Sequence, residues 1–394
     1  MATYKMNKCT KDKELFWYLD GNKNKLFAYR HRYYDSFGRR KEKSARGFAN
    51  ENTAFRELLR IKTEVAAGNT KLIENENLTI KQWATKWLEA NQSNWKVSTN
   101  EQRKNIVEQQ IIPLLGTQKL MKLDKETYIN LYIKPLSQKY SVGTVKLYHR
   151  IFKVIINGAV DAEIITRNRF TKIKIANDEE PKDGVGDNVY TPEELSAFLK
   201  CINDQENITV QTVFALLAAT GMRRGEVAAL RWKDIDFENS TINIGRTRDR
   251  YGERKAKTEN SIRTLNVNES LIATLKKYKA WSKQYLLANG RWKSEKEFEE
   301  SFAIISYQTC EAISDTYISS SLRRVIKNND LKEITPHGFR HTFATILINN
   351  GVPVTTIAKM LGNTTKMVME VYSHSFEENE KRAAQVIADV MKFA

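Results

Sequence analysis

The spacing of apolar residues changes along this chain of 394 residues, and the change limits the folds it can adopt. Residues 26–34 alternate apolar and polar with a period of two, as in a β-strand with one buried face. From residue 78 to about residue 174, apolar residues recur at helical spacing instead. The chain is also longer than one hydrophobic core usually serves, so we expect two or three domains of different secondary structure.

The N-terminal segment predicts a small sheet backed by one helix. In its first strand, Phe27, Tyr29 and Tyr33 share the face expected to meet a core, while Arg30 and Arg32 lie on the other face and are expected to be free. A turn at residues 35–38 precedes a second basic strand over residues 39–48, and a helix is expected over residues 52–66.

The net charge of +17 is confined to the N-terminal half. Lys and Arg outnumber Asp and Glu by 16 to 8 in residues 1–70 and by 18 to 9 in residues 71–177, whereas residues 178–394 hold 30 of each. This excess suits a protein that binds a polyanion, because each neutralised phosphate releases counterions. Nucleic acid is therefore the expected partner, and ribosomal association or simple solubility are the alternatives.

A sheet with one basic face can enter the major groove of DNA. The alternative for this face is a charged surface that merely meets solvent. The candidate DNA-binding residues are Arg30, Arg32, Arg39, Arg40 and Lys41.

Composition argues against several other classes. Cys9, Cys201 and Cys310 are odd in number, far apart and not arranged as Cys-x-x-Cys, so neither a disulfide framework nor a zinc cluster is expected. No apolar run is long enough to span a bilayer, and the polar first residues lack the apolar core of a signal peptide. We therefore expect a cytoplasmic protein of a bacterium or phage with no membrane partner.

Helix signals place the domain boundaries. Thr79 can cap a helix that carries Trp83 and Trp87, Ser98 or Thr99 can cap another that ends before Pro113, and a third is expected over residues 141–162. Residues 176–190 are rich in acidic residues and glycine and predict a linker. Beyond it, Thr191, Pro192 and Glu194 predict a capped helix start. The expected domains are residues 1–70, 75–177 and 185–394. The last domain is expected to end in a C-terminal helix, whose apolar stripe is Ala383, Val386, Ile387, Val390 and Met391.

The third domain carries side chains that can bind phosphate. Arginine donates two parallel hydrogen bonds to phosphate and stays protonated, which suits Arg223 at the start of a predicted helix. Thr335 and the proline after it predict another helix start. His337, Arg340 and His341 then fall at i, i+3 and i+4 on one helical face.

These segments, followed by Val371-Tyr372-Ser373-His374, resemble in order and spacing the active site of the tyrosine recombinases, the phage integrase family. The resemblance is strongest over residues 185–375. It implies a multidomain α+β fold: a small three-stranded sheet plus helix, a helical SAM-like core-binding domain, and a mainly α catalytic domain with a small antiparallel sheet. The N-terminal sheet is similar to the arm-binding domain of mobile-element integrases.

The resemblance assigns roles to individual residues. It makes Tyr372 the nucleophile, with Arg223, His337 and Arg340 as ligands of the scissile phosphate. Lys257 would be the general acid on a hairpin between strands at residues 241–244 and 262–267, and Lys255 is its rival. Asn363 stands where the family usually has histidine or tryptophan, and would donate a neutral hydrogen bond to the phosphate. His341 is expected to be structural or to support these residues from behind.

The implied function is an integrase of a phage or conjugative element. It would cut and rejoin double-stranded DNA through a 3′-phosphotyrosyl intermediate and a Holliday junction. It would act as a homotetramer on core and arm attachment sites, without a metal or organic cofactor. An accessory DNA-bending or excision factor is a further expected partner. The alternatives are a non-catalytic DNA-binding regulator that retains the fold, and a metal-dependent nuclease or transposase.

Overall fold

The structure is a computed structural model that describes residues 4–35, 37–175, 188–255, 259–372, 387–388 and 391. The chain forms two compact units, Met1–Glu180 and Pro181–Ala394. The division between them falls within the segment that the sequence predicts as a linker. The further division of the first unit into two domains stays a prediction. In the described ranges, no helix is both long and apolar enough to cross a membrane.

The first unit begins with an antiparallel sheet in the order β1-β2-β3-β4. The strands are β1 (Asn7–Lys8), β2 (Leu15–Leu19), β3 (Lys25–Tyr34) and β4 (Arg40–Phe48). The predicted sheet and its basic hairpin are therefore confirmed, with a two-residue fourth strand added at one edge. Helix α1 (Glu51–Ala66) covers one face of the sheet, and its first turn is capped by the Asn50 side chain. Tyr29 and Tyr33 are buried beneath it, as their spacing predicts.

The remainder of the first unit is helical and has its own hydrophobic core. Its helices are α2 (Thr70–Glu74), α3 (Ile80–Asn91), α4 (Val97–Ile106), α5 (Ile112–Leu115), α6 (Lys125–Tyr128), α7 (Lys134–Lys139) and α8 (Val142–Asp161). Thr79 caps α3 through a capping box with Gln82, and Trp83 and Trp87 are buried, as predicted.

Two details of this helical region differ from the prediction. Helix α4 begins at Val97, after Lys96, so neither Ser98 nor Thr99 caps it. The helical path also continues through Pro113 rather than ending before it, because a π-helical turn over Val107–Ile111 precedes α5. That turn places Pro113 in the first turn of a new α-helical segment, where its missing N–H group is tolerated.

The second unit surrounds a larger core with helices and two small sheets. Its helices are α9 (Pro192–Gln205), α10 (Ile208–Thr220), α11 (Arg224–Ala228), α12 (Glu269–Ala288), α13 (Glu295–Glu300), α14 (Asp315–Asn329), α15 (Pro336–Asn349), α16 (Val354–Leu361) and α17 (Thr365–Val371). Its strands are β5 (Ile235–Asp236), β6 (Thr241–Ile244), β7 (Arg246–Asp249), β8 (Gly252–Lys255) and β9 (Arg263–Asn266). Strands β6 and β9 pair as predicted, and β7 and β8 form an additional hairpin between them.

Candidate active site

The candidate site is built around the first turn of α15. The Thr335 hydroxyl accepts a hydrogen bond from the Gly338 N–H at 3.2 Å, and Pro336 occupies the first helical position, as the sequence predicts. The predicted patch on one face of this helix also forms: the rings of His337 and His341 lie 4.7 Å apart between centroids and are nearly perpendicular.

Arg340 ties this helix to two other segments. Its side chain is almost fully buried, and its guanidinium donates hydrogen bonds to the carbonyl oxygens of Gly221 at 3.0 Å and Leu361 at 2.5 Å. Burial, and to a lesser degree the neighbouring Arg223, lowers the pKa of Arg340 to about 9. The residue therefore stays cationic at neutral pH while it joins α15 to the ends of α10 and α16.

Gly221 is required at the turn that presents Arg223. It ends α10 in the left-handed conformation, with φ of +61°. A Cβ atom at this position would lie 2.6 Å from Cδ1 of Phe343. A side chain at residue 221 would therefore disturb both the turn and the packing of α15.

Arg223 is held in place by two acceptors. Its Nη1 donates to Oε1 of Glu226 at 2.9 Å, and its Nη2 donates to Oδ1 of Asn363 at 2.9 Å. Because arginine only donates hydrogen bonds, the second contact fixes the orientation of the Asn363 amide. The Nδ2 group of Asn363 is then left as a donor of two N–H bonds. The Arg223 side chain is 36% exposed, so it remains accessible to a ligand.

Sequence reasoning assigned no role to Glu226 or Arg263, which support Arg223 from behind. Nη2 of Arg263 lies 2.8 Å from Oε2 of Glu226, both side chains are buried, and Arg263 also donates to the Met360 carbonyl at 2.7 Å. Burial alone would raise the pKa of Glu226, but Arg263 and then Arg223 hold it below its usual value. The available signal was a single carboxylate within the otherwise uncharged segment 225–230.

Tyr372 is buried at the end of α17, where it packs in an apolar cluster with residues that include Ile348, Leu361 and Val368. Its hydroxyl lies 2.9 Å from Nδ1 of His341. Burial raises the pKa of Tyr372 to about 12, against the lowering effect of Arg340.

Both candidate histidines favour the neutral form. Burial, followed by the influence of His337 and Arg340, lowers the pKa of His341 to about 4. The pKa of His337 is also lowered, by partial burial of its ring and by Arg340 and Arg223. His337 as a whole is nevertheless exposed, so we expect solvent to weaken these effects on it.

Some predicted residues cannot be placed in the site. Lys257 lies outside the described residues, as do His374 and nearly all of the predicted C-terminal helix. The rival Lys255 ends β8 and is exposed. In the described part of the chain, no three His, Cys, Asp or Glu side chains are grouped so that they could hold a metal ion.

The N-terminal basic residues do not all lie on one free face. Arg30 and Arg32 are exposed but not free, because each lies beside the carboxylate of Glu42 on β4, at 3.3 and 3.1 Å. Lys41 pairs with the buried Tyr33, which places its side chain on the opposite, helix-covered face. The expectation that Arg30 and Arg32 are free was wrong, because it considered each strand separately and not its pairing. The DNA-binding role of these residues and of Lys41 stays a prediction.

The other two basic residues occupy the tip and the start of the hairpin. Arg39 lies in the turn, where it contacts the Asp35 carboxylate at 2.9 Å and the face of the Phe37 ring. Arg40 is exposed and pairs with Tyr34, on the same face as Arg30 and Arg32. The basic face of the sheet is therefore formed by Arg30, Arg32 and Arg40, with Glu42 among them.

Two protein-family models together match most of the chain. Residues 188–379 match the phage integrase family, and residues 79–155 match the N-terminal SAM-like domain of phage integrases. The chain belongs to the phage integrase family. A tyrosine recombinase XerC-like protein of Caldanaerobacter subterraneus subsp. tengcongensis is 26% identical over 275 residues, which are 66% of this chain and 69% of that protein. As a member of this family, the present chain is an enzyme of site-specific DNA cleavage and rejoining.

Solved integrase structures share its fold. The Tn1549 transposon integrase in complex with transposon right end DNA aligns over 78% of this integrase and 100% of the solved chain, with a TM-score of 0.63 and 22% identity. The lambda integrase tetramer bound to a Holliday junction aligns over 88% and 95% of the two chains, with a TM-score of 0.58 and 15% identity. The predicted fold class is therefore confirmed.

Proposed function

We propose that this chain is the integrase of a phage or conjugative element, and that Tyr372 attacks the scissile phosphate to form a 3′-phosphotyrosyl bond. The observation that carries the proposal is the convergence of three separate segments. Arg223 donates to Asn363, and Arg340 donates to the Leu361 carbonyl two residues before Asn363. The hydroxyl of the buried Tyr372 lies 2.9 Å from His341, which is next to Arg340 on α15. Residues as far apart in the chain as Arg223 and Tyr372 thereby supply cationic donors and a nucleophile to one place.

In this proposal the donors stabilise charge on the phosphate. Arg223, Arg340 and His337 would donate to the nonbridging oxygens, where negative charge accumulates in the transition state. Lys257 would protonate the departing 5′ oxygen. The covalent bond to Tyr372 retains the energy of the broken phosphodiester, so rejoining would need neither ATP nor a metal ion.

Asn363 would contribute a neutral contact to the same phosphate. Its carbonyl oxygen accepts from Arg223, which leaves its Nδ2 N–H bonds for a phosphate oxygen. A neutral donor gives less charge stabilisation than the histidine that the family usually carries, but the contact also orients Arg223. We therefore expect Asn363 to lower turnover rather than to abolish cleavage.

The remaining domains would bind DNA outside the scissile phosphate. The helical domain would clamp the core site, and Arg30, Arg32 and Arg40 on the N-terminal sheet would bind arm sites. Two rounds of strand exchange would proceed through a Holliday junction on a homotetramer, with an accessory DNA-bending or excision factor that sets direction. Such an enzyme would act on DNA in the bacterial cytoplasm.

A suicide substrate tests the proposal. The full chain and Tyr372→Phe would be incubated, in EDTA, with a duplex nicked near the crossover site, which is obtained by sequencing the junction of the excised circular element. We expect protein that migrates with labelled DNA through a denaturing gel, and no such adduct from the phenylalanine variant. An adduct that requires Mg²⁺ would instead favour a metal-dependent nuclease or transposase.

The second candidate function is a DNA-binding regulator that retains the fold. Two observations favour it: Asn363 stands where the family usually has histidine or tryptophan, and Tyr372 is buried. Specific binding to the verified crossover site without any adduct, from either the natural chain or an Asn363→His variant, would make this regulator the better account.

A further inference from the structure

His341 contacts the hydroxyl that would react. The pattern of this helix assigns phosphate binding to His337 and Arg340 and gives His341 no part in it. Nδ1 of His341 is 2.9 Å from the Tyr372 hydroxyl oxygen, and the two ring centroids are 5.6 Å apart. Tyr372 is 4% exposed, so water has little access to its hydroxyl. A phenol must lose its proton to attack phosphorus, and this proton needs an acceptor.

We propose that His341 is a further catalytic residue, whose Nδ1 accepts the proton of the Tyr372 hydroxyl as the phenol oxygen attacks the phosphate. The proposal rests on the proposed function. Its geometry meets the requirement for a general base, which must lie within hydrogen-bonding distance of the proton that it removes. In the neutral ring, Nε2 then carries the proton and Nδ1 offers its lone pair to the hydroxyl.

The step is balanced in atoms and charge. The Tyr372 oxygen forms a bond to phosphorus, the bond from phosphorus to the 5′ oxygen breaks, and the tyrosine proton moves to Nδ1 of His341. The 5′ oxygen takes its proton from the general acid, for which Lys257 is the candidate. In the rejoining step, the incoming 5′ hydroxyl gives its proton to the deprotonated general acid, its oxygen displaces the tyrosine from phosphorus, and His341 returns its proton to the phenolate.

The charges around the pair would make this transfer depend on bound phosphate. His341 is surrounded by His337 and Arg340 on its own helix and by Tyr372 at the end of α17. With a pKa of about 4 for His341 and about 12 for Tyr372, transfer is strongly unfavourable, so the tyrosine keeps its proton. A phosphate beside Arg340 would offset the charge of this guanidinium and raise the pKa of His341. The acceptor would thus become effective only where there is a phosphate to attack.

His341→Asn separates proton transfer from hydrogen bonding. The Oδ1 atom of asparagine can occupy the place of Nδ1 and accept the same hydrogen bond, but it cannot take up the proton. His341→Gln is the second variant, in case the first alters folding. Formation of the covalent adduct would be measured in single turnover on the nicked substrate from about pH 6 to pH 9. We expect a loss of roughly 100-fold in rate, the usual contribution of a general base, with unchanged DNA binding in a mobility-shift assay.

Two chemical changes distinguish a proton acceptor from a structural residue. The phenol of 3-fluorotyrosine is more acidic than that of tyrosine and depends less on a proton acceptor. When 3-fluorotyrosine replaces Tyr372, the rate loss caused by His341→Asn should therefore become smaller by about tenfold or more. On a substrate with a 5′-bridging phosphorothiolate, whose sulfur leaves without a proton, Lys257→Ala should be rescued, whereas His341→Asn should not.

The outcomes separate this proposal from the proposed function. If the natural chain forms the adduct and His341→Asn forms it equally fast, His341 is not the acceptor. The same conclusion follows if its defect is identical with tyrosine and fluorotyrosine, since a structural role is insensitive to phenol acidity. If the natural chain forms no adduct on a verified site, the proposed function itself fails and this proposal fails with it.

Discussion

Replacing Glu226 with alanine should destabilise the C-terminal unit strongly. The carboxylate is 6% exposed and pairs at 2.8 Å with the guanidinium of Arg263, whose side chain is 3% exposed. Removal of the carboxylate leaves this buried cation without a counter-charge, which costs roughly 3–5 kcal/mol. In a unit of this size, each kcal/mol lowers the melting temperature by about 2–4 °C. The expected decrease is therefore roughly 6–20 °C.

Differential scanning calorimetry of the full chain measures this effect. Glu226→Gln, which keeps an amide oxygen as acceptor but loses the charge, should give a smaller decrease than Glu226→Ala. Glu238→Ala is the matched control, because Glu238 is an exposed carboxylate of the same unit. Its replacement should change the free energy of unfolding by no more than about 0.5 kcal/mol. If Glu226→Ala and Glu238→Ala melt at the same temperature, the buried pair does not stabilise the C-terminal unit.

The same pair predicts a dependence on pH. Burial would raise the pKa of Glu226, but Arg263 and Arg223 lower it overall, so its pKa is lower in the folded than in the unfolded chain. The charged pair therefore stabilises the fold above the unfolded pKa of about 4.3, and this contribution is lost as pH falls through the folded pKa. The difference in melting temperature between the natural chain and Glu226→Gln should be constant near neutrality and should shrink in acid. A difference that grows in acid would contradict this sign.

Two further predictions compare matched positions. Gly221→Ala should lower the free energy of unfolding by roughly 2–4 kcal/mol, because it combines a left-handed φ with a clash against Phe343. Gly290 also has a positive φ but has open space around its Cβ position, so Gly290→Ala should lower it by only about 1 kcal/mol. Equal melting temperatures for the two variants would refute the role of the clash. Replacement of Arg30 and Arg32 with alanine should reduce the slope of log K against log salt for arm-site binding by up to about 2, and Lys41→Ala should leave it unchanged. Equal slopes for all three would place the DNA contact elsewhere.

The sequence predicts those parts of the fold and site that depend on local signals. Caps at Thr79, Thr191 and Thr335 identify helix starts because a side-chain hydrogen bond within one turn determines them. Strands β6 and β9 are predicted from the residue pattern within each strand, although the segment between them forms a second hairpin. In each case, the residues that decide the structure lie close together in the chain.

Contacts between distant segments could not be predicted in this way. The pairing of Arg263 with Glu226, the ion pairs of Glu42 with two arginines, and the contact of His341 with Tyr372 all depend on packing between separate elements. A single sequence gives the residue types of such pairs but not their proximity. The family resemblance identifies the residues that would bind phosphate. It does not identify the residues that hold them in place.

The two arginines of the site illustrate the consequence for interpreting variants. Arg340 is 2% exposed and joins three segments through the Gly221 and Leu361 carbonyls, whereas the Arg223 side chain is 36% exposed and is held by other side chains. Loss of Arg340 would remove a phosphate donor and also leave two carbonyl oxygens without partners, so its effect on rate would combine chemistry with folding. Loss of Arg223 would mainly remove a donor. The kinetics of Arg223 variants, measured beside their stability, are therefore the better measure of how much a guanidinium contributes to phosphoryl transfer in this enzyme.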